Sequence, residues 1–177
     1  GISGISITDH NETKGTFEAD RLSKTFDIET ITGVELSTRG KKRENIHLLL
    51  YRIKEDDTDL QNDLQRIRTQ YIELTEMRIE KLREIGFQVT LDGVKRAPNQ
   101  VPSLGPTLGE AVLANPANTE DPRLKPYFEV EEKNRGYRFY VDFLRNEDSQ
   151  CYVNFDEYSV YEGIDLGVNK GYVSVLA

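Results

Sequence analysis

All six prolines of this 177-residue chain fall between positions 98 and 126. Proline fixes φ and donates no backbone hydrogen bond, so it stops helices and is kept out of central strands. Residues 1–86 are therefore free to build long uninterrupted elements. Residues 87–126 read instead as a loop-rich insertion holding one short helix, 107–114.

Composition bounds the rest. Hydrophobic residues make up 37% and charged residues 31% of the chain, enough apolar material for a core and too much for wholesale disorder. No run approaches the ~20 consecutive apolar residues of a membrane span, and no basic start leads into an apolar signal segment. A soluble, cytoplasmic globular domain with no membrane partner is the expectation. Cys151 is the single cysteine, which excludes an internal disulfide and a cysteine-built metal cluster. The net charge is −8, the wrong sign for gripping a long nucleic acid with basic side chains.

Along the chain, a strand over 2–7 ends at Asp9 and His10, and a polar turn leads to a helix over 17–25. A second strand covers 29–37 and a third 46–53, separated by a basic loop at 39–44. Leu48, Leu49 and Leu50 form a continuous apolar run, as in a strand covered on both faces. The order strand, helix, strand predicts an α/β class with a mostly parallel sheet.

A long helix follows, capped near Asp57, Thr58 or Asp59 and stopped at Gly86. Leu60, Leu64, Ile67, Tyr71 and Leu74 share one of its faces; Arg78 then interrupts, and the stripe drifts to Met77, Leu82 and Ile85. Packing within the chain explains the stripe better than a coiled coil, because too few clean heptads are present. Further helices are expected over 137–145 and 157–169, the latter weakened by Gly163 and Gly167, before an apolar strand over 172–177.

Only two histidines occur, His10 and His47, each beside a strand terminus, and Glu35 lies inside the strand between them. In a parallel α/β fold such groups converge on one crevice. A carboxylate within an apolar strand needs a neutralising partner, which a cation held with two imidazoles would supply. Other readings stay open: the histidines as surface groups, Glu35 paired with Arg39, Lys41 or Lys42, and Asp9 capping the turn before Thr13.

The segment Ile5-Ser6-Ile7-Thr8-Asp9-His10-Asn11 resembles the second motif of the PHP (polymerase and histidinol phosphatase) family of metal-dependent phosphoesterases. Gly33-Val34-Glu35-Leu36-Ser37 is similar to the next motif, and Ile46-His47-Leu48-Leu49-Leu50-Tyr51 to the one after it, in matching order and spacing. Residues 172–177 resemble the apolar strand that, in this family, runs into a His-Pro pair. The resemblance is sharp over 1–53 and 172–177 and weak between them, where Val141-Asp142-Phe143 is similar to a subgroup with a longer insertion.

The resemblance implies a distorted TIM-like β/α barrel of about seven strands carrying a largely helical cap. Residues 1–54 would begin the barrel, 55–150 form the cap and 151–177 return to the barrel. His10, Glu35 and His47 would be ligands to divalent metal ions (Mn, Zn or Fe), with Glu35 bridging two of them. Asp9 would be a catalytic residue supporting them or orienting the turn. The implied chemistry is hydrolysis of a small phosphorylated metabolite or nucleotide by attack of metal-activated hydroxide. The family's opening His-x-His would precede residue 1 and its closing ligands would follow Ala177. The chain is thus expected to be an incomplete piece of a longer polypeptide, active or inactive on its own; the competing reading is a degenerate, non-catalytic interaction module.

Two further features belong to the cap. Arg135 and Arg138 among Tyr137, Tyr140 and Phe143 suit either substrate binding, by clasping a phosphate beside a stacked base, or an aromatic core with solvated arginines. Cys151 reads as a buried small side chain, since no further histidine is available to activate it. Oligomeric state has no signal in the sequence.

Overall fold

The computed structural model describes residues 2–26, 28–42, 44–94 and 105–177. The chain divides into two compact units, Gly1–Arg68 with Asp156–Ala177, and Thr69–Phe155, and the division passes through the longest helix.

In the first unit, β1 (Gly4–Ile5) pairs in parallel with β2 (Glu29–Thr30). Helix α1 (Lys14–Phe26) lies between them in sequence. It begins three residues earlier than its apolar pattern predicts, because the Glu12 carboxylate accepts from the amides of Thr13 and Lys14 at its start. The expected strand over 29–37 is split: pairing lapses at Ile31 and Thr32, and β3 runs Gly33–Arg39.

β3 and β4 (Asn45–Tyr51) form an antiparallel hairpin, and β5 (Val173–Leu176) lies antiparallel on the far side of β4. This corrects the expectation of a mostly parallel sheet. The short loop at 40–44 permits only a hairpin, since a parallel crossover needs about a dozen residues or more. Two small sheets are present among the described residues, and no closed barrel.

The hairpin is two-faced. Val34, Leu36, Leu48 and Leu50 alternate onto one face and are almost fully buried. Glu35, Ser37 and Arg39 lie on the other with His47 and Leu49, since Glu35 opposes Leu49 and Ser37 opposes His47. A run of three leucines therefore does not mean burial on both sides: Leu49, between its buried neighbours, is half-exposed.

Helix α2 (Thr58–Glu84) follows, with Leu60, Leu64 and Ile67 buried in this unit. Near the chain's end, α6 (Val160–Lys170) starts with a capping box built by Ser159 and Glu162. Its glycines are contact points rather than weaknesses. A Cβ on Gly163 would come within 2.8 Å of Leu48 Cδ2 and 3.3 Å of Leu36 Cδ1, so the helix rides directly on the buried face of the hairpin. Gly163→Ala is expected to lower stability by about 1 kcal/mol. The helix-propensity gain of about 1 kcal/mol is outweighed by overpacking, typically 1–3 kcal/mol. A raised urea midpoint would contradict the close approach.

The second unit is helical. The rest of α2 turns Tyr71, Leu74, Thr75, Arg78, Ile79 and Leu82 inward. Arg78 thus does not interrupt the stripe; it is buried with its guanidinium over the Tyr140 ring, 5.7 Å from the centroid, whereas Met77 is exposed. Helix α3 (Pro106–Ala114) is followed by two 3-10 turns, Pro116–Asn118 and Pro122–Leu124. Each turn is capped by the residue before its proline, Asn115 or Asp121. The portion of the loop-rich reading at 95–104 lies outside the described residues.

After α4 (Lys125–Phe128), helix α5 (Glu132–Phe139) widens into a π turn over Tyr140–Arg145. It starts five residues before the expected 137 because Gly136 is no break: it sits inside α5 where that helix crosses α3 at Gly109. Phe87, Leu108, Val112, Tyr127, Phe139 and Leu144 are central to the core here. Among the described residues, no helix is long and apolar enough to cross a membrane.

Candidate metal centre

Two strands, β3 and β4, and the segment that follows β1 bring the candidate ligands together. The chain from Thr8 to Asn11 runs along the free edge of β3: Asp9 O accepts from Glu35 N at 3.2 Å, and Asn11 N donates to Glu35 O at 2.8 Å. His10 is thereby bridged in parallel to Glu35. On the opposite edge, His47 opposes Ser37, one same-face step from Glu35. The convergence comes from cross-strand neighbours on one face, not from the C-terminal ends of parallel strands.

Glu35 sits between the two imidazoles. Its Oε1 lies 2.8 Å from His47 Nδ1 and its Oε2 lies 3.9 Å from His10 Nε2. The rings meet edge to face with centroids 4.8 Å apart. One ligand atom from each residue falls within 4.8 Å of the others. Side-chain exposure is 56% for His10, 38% for His47 and 21% for Glu35, so the group opens to solvent on the His10 side.

The donor set fits a divalent cation. Nitrogen and carboxylate ligands at about 2.0–2.2 Å from an ion lie roughly 3–4 Å apart, close to the spacing seen here. His47 Nδ1 is buried and, despite its closeness to Oε1, makes no aligned hydrogen bond. An ion between nitrogen and carboxylate would satisfy both without requiring that alignment. Two imidazoles and one carboxylate suit Zn, Mn or Fe better than Ca.

Asp9 stands apart from this group. It is exposed, its carbonyl serves the β3 edge, and its carboxylate lies beside Gly15 in the first turn of α1, where a Cβ would collide with Oδ2. The observed arrangement matches a residue that shapes the turn into α1. A negative group there is favoured by the positive end of the helix.

Arg135 and Arg138 belong to the second unit. Arg135 Nε and Nη2 donate to the carbonyls of Val130 and Phe128, and its guanidinium lies 5.5 Å from the Phe128 ring centroid. Arg138 is half-exposed, 3.9 Å from Asp142. Tyr140 is buried, Phe143 stacks on Phe139, and only Tyr137 is open to solvent. Most of the aromatics are core, and Arg135 is occupied in holding a turn. Burial pushes the Cys151 thiol up to about 11, which leaves it unreactive as a nucleophile.

Sequence reading missed the residues behind His10. Asn11 adopts a left-handed backbone (φ 53°), and its carbonyl accepts from Arg68 Nη1 at 2.8 Å. Its side chain clasps Ser37: Ser37 N donates to Asn11 Oδ1 at 2.9 Å, and Asn11 Nδ2 donates to Ser37 Oγ at 3.1 Å. The available signals were an asparagine, the residue that best tolerates positive φ after glycine, and a serine two positions beyond Glu35 on the same strand face.

No family model and no curated protein match this sequence. Solved structures do share its fold. A Bifidobacterium adolescentis protein classed as a metal-dependent phosphoesterase aligns with a TM-score of 0.66 at 20% identity, over 99% of this chain and 56% of that one. An amidohydrolase from Chromobacterium violaceum, solved with sulfate and no metal, aligns with a TM-score of 0.65 at 20% identity, over 98% and 56% respectively. The chain therefore spans about half the length of each structure it matches.

Proposed function

We propose that this chain carries part of the metal centre of a PHP-type phosphoesterase, with His10, Glu35 and His47 as ligands and a small phosphorylated metabolite or nucleotide as substrate. One observation carries the reading: ligand-type side chains at positions 10, 35 and 47 meet on a single sheet face. The fold likeness to a protein classed as a metal-dependent phosphoesterase supports it.

A bound divalent cation would supply Lewis acidity, acidifying a water molecule and screening charge on the phosphoryl oxygens. The chain's own residues do the holding. Glu35 offers one oxygen to each imidazole side and neutralises positive charge; His47, the more buried ring, fixes one direction, and His10 closes the other at the solvent edge. A cation also lets a protein of net charge −8 receive an anionic substrate, while that balance disfavours a long nucleic acid.

The test is phosphate release from mononucleotides and p-nitrophenyl phosphate by the polypeptide loaded with Mn or Zn, with His47→Ala as control. Cation-dependent turnover that falls at least 100-fold in His47→Ala supports the proposal. Turnover unchanged by that substitution ends it, and cation binding without turnover favours the non-catalytic module.

A further inference from the structure

We infer that Ser37, held by Asn11, is a positioning residue for His10: it fixes which ring nitrogen carries the proton and aims the other at the cation. The inference rests on the metal-centre reading above and concerns residues to which that reading gives no role.

Ser37 Oγ lies 3.3 Å from His10 Nδ1. A hydroxyl oxygen accepts two hydrogen bonds. One is taken by Asn11 Nδ2 at 3.1 Å, and the other faces the His10 ring. The serine cannot drift, because its own amide is bound to Asn11 Oδ1 at 2.9 Å and its backbone is locked in the β3–β4 ladder.

Asn11 is fixed in turn. It is buried, its amide binds Glu35 O, and its carbonyl accepts from Arg68. The result is a closed path from one candidate ligand to another: Glu35 backbone, Asn11, Ser37, His10 ring.

The chemistry follows from the direction of the ring. Nδ1 points at Ser37, and Nε2 points toward Glu35 Oε2, 3.9 Å away. A ligating imidazole presents a lone pair to the ion and donates its other N–H to a fixed acceptor. Ser37 is that acceptor. Donation from Nδ1–H to Oγ leaves the Nε2 lone pair facing the carboxylate and any cation beside it. His10 is the most exposed of the three; its ring also meets the His47 ring edge to face, and Ser37 Oγ is the group facing its Nδ1.

The test uses the 177-residue chain, with Zn2+ as the probe. Metal-free protein is examined by 15N NMR of the imidazoles, which reports the tautomer independently of any activity. Zn2+ affinity is measured by calorimetry. The wild type is expected to show His10 protonated at Nδ1. In Ser37→Ala that preference should be lost, and affinity should fall about 10-fold, the scale known for ligand-orienting partners.

Asn11→Gly, which keeps the left-handed backbone but removes the amide, should move both readouts the same way. Ser37→Thr should restore them, because the hydroxyl is retained. A Ser37→Ala protein with the wild-type tautomer and Zn2+ affinity would overturn the role, as would Nε2–H at His10 in the wild type. Failure of the underlying reading looks different: the wild type itself would bind no Zn2+, or bind it equally well after Glu35→Ala.

Discussion

Alanine at position 35 is expected to abolish the stabilisation of this chain by divalent cations. Glu35 approaches both imidazoles, at 2.8 Å from His47 and 3.9 Å from His10, and is the one carboxylate of the three candidate ligands. Removing it takes away the carboxylate that makes the site attractive to a cation and leaves only the two imidazoles, on opposite edges of β3. A ligand that binds only the folded state at 100 times its dissociation constant stabilises by about 2.7 kcal/mol. For a chain of this length that raises the thermal midpoint by about 5–10 °C. The wild type should show this shift with Zn or Mn, and Glu35→Ala should show none.

The imidazoles should rank behind the carboxylate. His47→Ala is expected to lose more of the shift than His10→Ala, because His47 is the closer and less exposed partner. Differential scanning fluorimetry at fixed excess cation measures all three. A Glu35→Ala protein that keeps the wild-type shift would place the cation elsewhere.

The candidate ligands were legible in the sequence because ionisable residues within or beside apolar strand patterns demand an explanation. Their route to one another was not. His10, Glu35 and His47 suggested a crevice at parallel strand ends, whereas the five residues between β3 and β4 dictate a hairpin, and the three meet across its face. Loop length was the stronger signal, and the strand–helix–strand order outweighed it wrongly.

The long helix shows the reverse balance. Its stripe from Leu60 to Leu74 was clear, but polarity alone misread Arg78, whose charged head lies over Tyr140 in the second unit's interior. The glycines of α6 misled for a similar reason. Propensity scores a helix in isolation, and Gly163 is set by Leu48 and Leu36, residues more than a hundred positions away. Asn11 and Ser37 lacked any pattern of their own, since a clasp between residues 26 apart has no local period.

The other large effect is expected at Asp57, remote in sequence from the ligands. Its Oδ1 accepts from the amides of Asp59 and Leu60 and so caps α2, while Oδ2 accepts from the Tyr172 hydroxyl at the foot of β5. Lys170 Nζ, in the last turn of α6, lies 3.2 Å from Oδ1. One carboxylate thus joins three elements of the first unit.

Burial works against its ionisation. The hydrogen bonds from Tyr172, Leu60, Lys170 and Asp59 outweigh that penalty and hold the carboxyl below its ordinary value. Asp57→Ala removes the cap, worth about 1 kcal/mol, and strands a buried hydroxyl at a further 1–3 kcal/mol or so. A loss of about 2–4 kcal/mol by urea unfolding is therefore expected near neutral pH.

The pH dependence has two limbs. Because the folded-state value of Asp57 is lowered, its contribution is complete above the ordinary 3.8 and disappears as pH falls through the lower folded value. Burial and the bond to Asp57 push the Tyr172 phenol up to about 12. That contribution is complete below the ordinary 10.0 and declines as pH rises from there toward 12, because the unfolded chain ionises first. The stability difference between wild type and Asp57→Ala should accordingly form a plateau from about pH 5 to 9 and shrink on either side. Tyr172→Phe should remove the alkaline limb and leave the acid one. A difference that stays constant from pH 3 to 11 would show that the carboxylate acts through packing alone, with no linkage to its own charge or to the phenol's.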